Sequence, residues 1–441
     1  MYKLYDITLH LGFAALSPYL IGKAAFVGKY RHGLSERFGR LPSSKLASLR
    51  DGKVIWFHAV SVGETKAVMP LLKIIKERHP DIKIVFSTVT ATGNTVAMKD
   101  GEGLIDALLF FPLDFSWVVK RVLRQVRPSL FVIVEKEIWP NFLRVLSDNE
   151  VPTIVINGNL SDRSFRRYLQ FRFLFTTVFK GISAYCAQTR ADGERASILG
   201  VPKTVVTGNI KFDIEAIKVD KGEEARLRGE LGIGVDAQIV VAGSTHKGEE
   251  EKILTAYMGL CEKVKGVRLV IAPRHPERFR DVGALIEKSG FRLFKRSDDR
   301  GAAKAAGGER GGCEVILLDT LGELVTVCAI ANLVFVGGSL VEGVGGHNLL
   351  EPAIYSKPVL YGPYLGSWRH IAKILERGGG GIRVDSEGEL LDRMVGLLSD
   401  PKMARKVGEA ACQVAAQNRG ATEKSLEVIE RFLKARPHSW A

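Results

Sequence analysis

The sequence predicts an α/β protein of two domains, each a parallel sheet covered by helices on both faces. Three observations carry that expectation. Apolar, β-branched runs recur regularly and alternate with helical patterns, as strands of βα units buried on both faces do. The beat occurs twice, and the charged, less apolar stretch at 211–230 (KFDIEAIKVDKGEEARLRGE) divides the two series. Finally, 441 residues exceed what one hydrophobic core ordinarily supports, and a content of 46% hydrophobic and 25% charged residues is that of a globular chain.

Residues 7–22 (ITLHLGFAALSPYLIG) carry no Asp, Glu, Lys or Arg, yet the run is shorter than the roughly 20 residues that span a bilayer. It reads as a short anchor or interfacial helix. The bland alternative is a buried helix of a soluble domain. Lys23, Lys29, Arg31, Arg37 and Arg40 follow the run, against Lys3 and Asp6 before it, and such an excess of positive charge stays on the cytoplasmic side. A signal peptide would place basic residues first and end in a small-residue cleavage site. The bulk of the protein is therefore expected to face the cytoplasm. The next segment, Tyr30 to Gly39, sets one carboxylate, Glu36, among Arg31, His32, Arg37 and Arg40. Two readings stand for it: a surface salt bridge, or a catalytic group.

The first series of expected strands lies at 54–60, 83–89, 107–111, 130–134, 153–157, 183–187 and 203–206, with helical patterns such as 64–78 between them. In parallel sheets ligands bind beyond the carboxyl ends of the strands. The residues that matter are then Ser61, Gly63 and Glu64 after the first run, 87–93 after the second, Glu135 to Glu137 after the fourth and Asn157 to Ser161 after the fifth. Arg163, Arg166, Arg167 and Arg172 follow, interleaved with Phe165, Tyr168 and Phe171. Their ordinary reading is a solvated helix face.

The second series is expected at 238–242, 268–272, 291–294, 314–318, 333–336, 358–361 and 381–384. Polar residues again follow the strands: Ser244 to Lys247, Arg274 to Arg278, and Asp319 to Leu324. The run Val334 to Val336 breaks into Gly337-Gly338-Ser339 and continues through Gly345-Gly346-His347-Asn348 to Glu351. Glycines leave backbone N–H groups uncovered, and a helix beginning near Asn348 would turn its positive end toward the loop, which makes a cradle for an anion. Glu351, one turn on, suits a ribose diol. The alternative is a plain glycine-rich connection with Asn348 as helix cap. Residues 301–312 (GAAKAAGGERGG) read as a surface loop, and the tail from 401 as one or two amphipathic helices.

A net charge of +14 calls for an anionic partner, whether nucleic acid, a membrane surface or a phosphorylated substrate. Cys186, Cys261, Cys313, Cys328 and Cys412 are scattered, without C-x-x-C or a disulfide-like spacing. A reducing compartment and no structural zinc are expected. His246, His275 and His347 sit in three separate loops, and no metal site is assigned to them. There is no G-x-x-x-x-G-K-[ST], and no G-x-G-x-x-G follows the first strand. Convergent strand-end donors in the second series, with Ser244 and Thr245 at an expected helix start, Arg274 for charge and Glu351 for the sugar, suggest a nucleotide there. That points to a sugar-nucleotide transferase with a cleft between its domains.

Eight stretches then carry a resemblance: G-x-S-E-R-F-G at 33–39, S-V-G-E at 61–64, E-x-E-x-W-P-N at 135–141, G-N-x-K-F-D at 208–213, A-G-S-T-H-x-G-E-E at 242–250, P-R-H-P-E-R-F at 273–279, D-T-x-G-E-L at 319–324 and G-G-H-N-x-x-E-P-A at 345–353. In order and across essentially the whole chain, they resemble the 3-deoxy-D-manno-octulosonic acid (Kdo) transferases of lipid A biosynthesis. The resemblance implies a GT-B glycosyltransferase fold of two Rossmann-like domains. Its expected bounds are 1–28 for the anchor, 29–215 for the acceptor domain, 216–400 for the nucleotide-sugar domain and 401–441 for the closing helices. It further implies CMP-Kdo as co-substrate, a lipid A precursor as acceptor, inversion without metal or other cofactor, and a place on the cytoplasmic side of the inner membrane.

Carried over by residue, the resemblance makes Glu36 the catalytic base, taking the proton of a glucosamine hydroxyl. Ser244, Thr245 and Arg274 would hold the phosphate, Leu321, Gly322 and Glu323 would lie against cytosine, and Asn348 and Glu351 would hold phosphate and ribose. Ser61, Gly63, Glu64, Glu137, Arg163 and Arg166 fall on the acceptor side. Two departures appear: Asn157-Gly158-Asn159-Leu160-Ser161 stands where N-A-R-L-S is expected, removing an arginine, and the 340–346 loop is one residue longer. Two other readings compete. One is a GT-B enzyme using a UDP-sugar, which donor competition would reveal. The other is a membrane-surface or nucleic-acid binding protein without chemistry, whose basic stripe with stacking aromatics is matched only by Arg163 to Arg172. No nucleic-acid partner is expected.

Overall fold

The computed structural model describes residues 2–26, 33–50, 52–298 and 313–434, so Lys29, Arg31 and the 301–312 segment lie outside the described residues. Two compact units emerge, one of residues 1–213 with 419–441, the other of 214–418.

The first unit is built on a seven-stranded parallel sheet of β1 (Val54–His58), β2 (Lys83–Thr88), β3 (Ala107–Phe110), β4 (Leu130–Val134), β5 (Thr153–Gly158), β6 (Ala184–Ala187) and β7 (Thr204–Val206), in the order β3-β2-β1-β4-β5-β6-β7. β1 and β4 are buried at every residue, which is why they read as unbroken apolar runs rather than alternating ones. Trp56, Phe131 and Phe142 interlock edge to face on one side of the sheet. On the other side the Val62–Arg78 helix packs with Leu426, Ile429 and Leu433 of the Ala421–Lys434 helix. Asp213, the last residue before the chain leaves this unit, accepts the amides of Gly420 and Thr422 where it returns. The tail from 401 thus divides, Pro401–Gln417 lying in the second unit and Ala421–Lys434 in the first.

The first helix, Tyr2–Phe26, has two faces. Tyr2, Leu9 and Phe13 pack against the core of the first unit, and Asp6 accepts hydrogen bonds from Ser116 N (3.0 Å) and Asn141 Nδ2 (2.8 Å). Leu4, Ile7, Leu11 and Leu16 are exposed. Among the described residues no helix is long and apolar enough to cross a membrane.

The second unit repeats the plan with β8 (Gln238–Thr245), β9 (Val267–Pro273), β10 (Arg292–Lys295), β11 (Glu314–Leu317), β12 (Leu333–Val336), β13 (Val359–Tyr361) and β14 (Gly381–Arg383), ordered β10-β11-β9-β8-β12-β13-β14 and parallel throughout. The expectation of unpaired cysteines is corrected here. Cys261, on the helix over the sheet, and Cys313, at the foot of β11, form a disulfide with Cα atoms 6.3 Å apart across a sequence separation of 52. Layer packing creates that neighbourhood and sequence spacing hides it, so the cysteines no longer argue for a reducing compartment.

His58, closing β1, is fully buried and stacks on Phe111 at 3.8 Å, with Nδ1 3.0 Å from Ser87 Oγ. Burial pulls its imidazole down to about 3, so below pH ~6.5 the unfolded chain binds a proton that the folded chain refuses. Stability should therefore fall as pH drops from about 6.5 toward 3, by up to ~1.4 kcal/mol per pH unit from this group. Urea unfolding at pH 7, 6 and 5 should show that slope, and His58→Asn should remove about one proton's worth of it. An unchanged slope in the folded variant would clear His58 of the effect.

Candidate functional site

In the second unit the strand order turns at β8, with β9 on one side and β12 on the other. Such a switch point is where open parallel sheets bind ligands. The two strand ends approach closely: a Cβ on Gly337 would lie 2.6 Å from Ser244 O and 2.7 Å from Thr245 Cα. Gly338 has a φ of +68°, and a Cβ there would strike the His347 ring at 2.9 Å. Glycine is required at both positions by contact, and at the second also by conformation.

The amides of this turn do not wait for a phosphate. Glu249, fully buried, accepts hydrogen bonds from Gly338 N (2.6 Å), Ser339 N (2.9 Å), Leu340 N (2.7 Å) and His246 N (3.1 Å). The cradle expected from the sequence exists, and the protein's own carboxylate fills its amides. Burial pushes the Glu249 carboxyl above its ordinary range, while the amides, Leu340 foremost, pull it down. Two further expectations are corrected. β8 runs through Thr245, and the next helix starts only at Glu250, so Ser244 and Thr245 end a strand. Thr245 is fully buried, and its hydroxyl has no hydrogen-bond partner among the described residues. The helix after Asn348 is a single turn, Leu350–Ala353, too short to present a helix dipole.

What surrounds the switch point is nonetheless polar. Ser244 has left-handed backbone at φ 57°, an outlier of the kind that gathers at functional sites. Asn348 Oδ1 accepts Leu350 N (3.0 Å) and its Nδ2 donates to Glu351 Oε1 (3.1 Å), which joins two expected donor residues. Arg274 is exposed, and its amide donates to Thr245 O at 3.0 Å. Leu321 is exposed, Gly322 has a φ of +92°, and Glu323 accepts from Arg296 at 3.0 Å. Three histidines unused in the sequence reading also meet here: His246 Nε2 lies 2.7 Å from His347 Nε2, and the His275 ring stands edge-on 5.1 Å from His246. Burial pulls both His246 and His347 down to about 4, and neighbouring histidines and Arg274 add to the effect. Among the described residues no group of His, Cys, Asp or Glu is placed to hold a metal ion.

In the first unit Glu36 is buried within the Leu34–Arg37 turn. Its Oε2 accepts Phe110 N (2.8 Å) and its Oε1 accepts Lys45 Nζ (2.6 Å), which also donates to Leu108 O (2.6 Å). Arg37 lies over the Phe110 ring instead, 4.8 Å from its centroid. Among the described residues the ion-pair partner is thus Lys45, from the Ser43–Ala47 helix, rather than Arg37 or Arg40. Ser61 and Glu64 are spent on each other in a capping box, with Glu64 Oε2 also accepting Val60 N at 2.7 Å. Burial, then Glu135, raises the Glu64 carboxyl, and burial raises that of Glu137. Gly63 opens the same helix, and Arg163 and Arg166 are exposed on the Asp162–Gln170 helix.

The strand-end residues Glu135, Asn157 and Asn159 singled out in the sequence belong to a polar network at the ends of β4, β5 and β6, whose other members, Gln188, Asn209 and Lys211, sequence reasoning did not connect to them. Glu135, at φ 71°, pairs with Lys211 at 3.1 Å, and Asn157, at φ 54°, accepts Ile210 N at 3.1 Å. Gln188 donates to Asn157 O at 3.0 Å and accepts from both Asn159 and Asn209 at 3.2 Å. Asn159 stands at a departure from the family pattern and is bound into this network.

Solved structures share the fold. MnaA with UDP from S. aureus matches with a TM-score of 0.56 at 15% identity over 88% of this chain and 100% of that one. A glycosyltransferase from Rickettsia africae matches with a TM-score of 0.56 at 13% identity over 87% and 100%. The fold, with polar groups at the carboxyl ends of both sheets, is that of a GT-B glycosyltransferase. A family model described as 3-deoxy-D-manno-octulosonic-acid transferase (kdotransferase) matches residues 32–214. The 3-deoxy-D-manno-octulosonic acid transferase of Haemophilus influenzae is 34% identical over 412 residues, 92% of each chain, and that of Bordetella pertussis is 31% identical over 411, 90% of this chain and 91% of the other. The chain belongs to the 3-deoxy-D-manno-octulosonic acid transferase family.

Removing Glu249 strands several buried amides, each costing about 1–3 kcal/mol when left unpaired. Glu249→Ala is expected to lower unfolding free energy by at least ~3 kcal/mol, with Glu249→Gln intermediate because it turns an NH₂ toward donors. Urea unfolding followed by a probe in the second unit measures this, and a loss under about 1 kcal/mol would mean that the turn finds other acceptors.

Proposed function

We propose that the chain transfers Kdo from CMP-Kdo to a lipid A precursor, lipid IVA, with inversion, as a step of lipopolysaccharide core biosynthesis. Family membership supports the reading, and the single observation that carries its chemistry is the setting of Glu36. Each carboxylate oxygen is oriented by one donor and retains lone-pair capacity for another. In the proposed reaction Glu36 takes the proton of a glucosamine hydroxyl as that oxygen attacks the Kdo anomeric carbon. The electron pair of the breaking bond passes to the CMP phosphate, whose growing charge is met by Arg274 with Ser244 and Asn348 as donors. Glu351 takes the ribose hydroxyls, and the Leu321 to Glu323 loop lies against cytosine. CMP-Kdo is a co-substrate, and no metal or other cofactor takes part.

The protein works at the cytoplasmic side of the cell inner membrane. Exposed Leu4, Ile7 and Leu11 share one helix face and, with exposed Leu16 further along, supply apolar surface for the bilayer, while Arg163 and Arg166 supply charge for its anionic surface or for the acceptor. Tyr5 and Asp6 are hydrogen-bonded into the first unit, so deleting the helix would disturb the fold as well. Substitution of the exposed face is the cleaner probe.

Incubating the purified enzyme with a tetraacylated lipid A precursor and a CMP-Kdo supply, then weighing the product, tests donor and acceptor together. Glu36→Gln is expected to lower turnover by roughly 10²–10⁴-fold while leaving CMP affinity unchanged. Turnover above about a tenth of wild type, with chemistry the slow step, would unseat Glu36 as the base. Replacing Leu4, Ile7, Leu11 and Leu16 together by Gln should weaken sedimentation with anionic vesicles at least about tenfold in a protein that still folds. Undiminished sedimentation would move the membrane contact elsewhere.

A further inference from the structure

We propose that the His246–His347 pair is a proton-linked part of the donor phosphate site, taking up one proton from solvent when the phosphate of CMP binds. This deepens the donor-site reading above and rests on it. The geometry comes first. The two Nε2 atoms are 2.7 Å apart with ring planes at 9°. Two neutral imidazoles can share that contact only if one donates and the other accepts, so a single proton lies between them. One more proton would convert the pair into an imidazolium hydrogen-bonded to an imidazole, a charge-assisted bond at the same place.

What keeps that proton off is the company of the pair. The charged and titratable neighbours acting on it are His275, Arg274 and Arg278, all of which disfavour a further positive charge. The carboxylates close by are already engaged. Glu249 accepts the turn amides, including that of His246 itself. Glu250, fully buried, holds Arg278 by two bonds of 2.7 and 3.1 Å. Glu277 lies 3.8 Å from His275. Half-burial of both rings then makes the free pair neutral near pH 7, consistent with values of about 4. A phosphate dianion delivered beside Arg274 reverses the balance, because an opposite charge within a few ångströms favours the protonated form.

The linkage also fits the chemistry of the transfer. While Kdo is attached, the phosphate is a diester with one negative charge. When the bond to Kdo breaks, its electron pair stays on phosphate oxygen and the charge grows by one, the acceptor's proton going to the base. A pair that gains its proton as phosphate charge grows holds the leaving group more tightly than the bound donor, which is what lowers a barrier. A Cβ on Gly338 would strike the His347 ring at 2.9 Å, so the ring lies close over the turn that Glu249 holds.

Titration calorimetry of CMP into the full-length protein at pH 7.5, in two buffers of different ionisation enthalpy, measures the proton directly. CMP is a dianion there, its second phosphate pKa being about 6. A rise of about 1–3 units from about 4 brings the bound pair to roughly 5–7, so a fractional uptake is expected at pH 7.5. It should grow when the titration is repeated at pH 6.5 with CMP's own protonation subtracted, and affinity should fall by at most about tenfold per pH unit as pH rises. His246→Gln and His347→Gln should each abolish most of the uptake while CMP still binds, more weakly. Wild-type binding with no exchanged proton overturns the proposal and leaves the donor site standing. Undiminished uptake in both variants places the proton elsewhere and equally overturns it. Failure of wild-type protein to bind CMP at all removes the donor-site reading beneath it.

Discussion

The buried carboxylate of Glu249 is the constraint on which the second unit's strand ends depend. An ionised carboxylate withdrawn from water is costly unless its lone pairs are filled. Here they are filled by backbone amides from the turns after β8 and β12. The two turns consequently cannot move apart without unpairing several buried groups at once. That rigidity sets the side chains beyond them: His246 and His347 meet, Asn348 caps the single turn that carries Glu351, and Ser244 is held in left-handed backbone. A glycine turn of this form looks in sequence like a phosphate nest. Physically it is a joint locked by an internal anion.

A similar sorting separates the carboxylates of the first unit. Glu64 closes a helix cap. Asp114 accepts the amides of Asn141 and Phe142 and the Tyr5 hydroxyl, and Asp213 ties the two passages of the chain. Each is accounted for by structure. Glu36 differs in that one of its two donors is a lysine reaching across from a separate helix rather than a backbone amide. The Lys45 ammonium also bonds Leu108 O and so ties the carboxylate to β3. A general base needs a fixed direction for its lone pairs as well as a suitable affinity for the proton.

Much of this fold was legible in the sequence, and the reason is physical. Strands buried on both faces must be apolar at every position, so β1, β4 and β12 announced themselves as unbroken runs within a residue or two of their observed limits. Turns were legible for the same kind of reason, since glycine contacts such as those at Gly337 tolerate no other residue. What stayed hidden were occupants and partners. Glu249 stands in a Gly-Glu-Glu sequence that resembles any acidic helix start. Lys45 and Glu36 meet only once β3 is in place, and Cys261 and Cys313 only once helix and sheet are stacked. Ser244 and Thr245 were placed at the start of a helix that begins later, because a polar Ser-Thr pair after an apolar run reads equally as strand end or helix cap.

The electrostatics of the second unit follow from where carboxylates are spent, more than from how many basic residues there are. With Glu249 on amides, Glu250 on Arg278 and Glu323 on Arg296, the acids near the switch point are engaged internally. Arg274 and the histidine pair are therefore left facing a region where negative charge has been withdrawn into the structure. A net charge of +14 spread over a surface would be screened within about a Debye length and would select no particular anion. A cation such as Arg274 beside rigid, already satisfied carboxylates retains its field at short range. Preorganised charge of this kind costs nothing further to align, whereas the most obvious amides of the turn are already taken by Glu249.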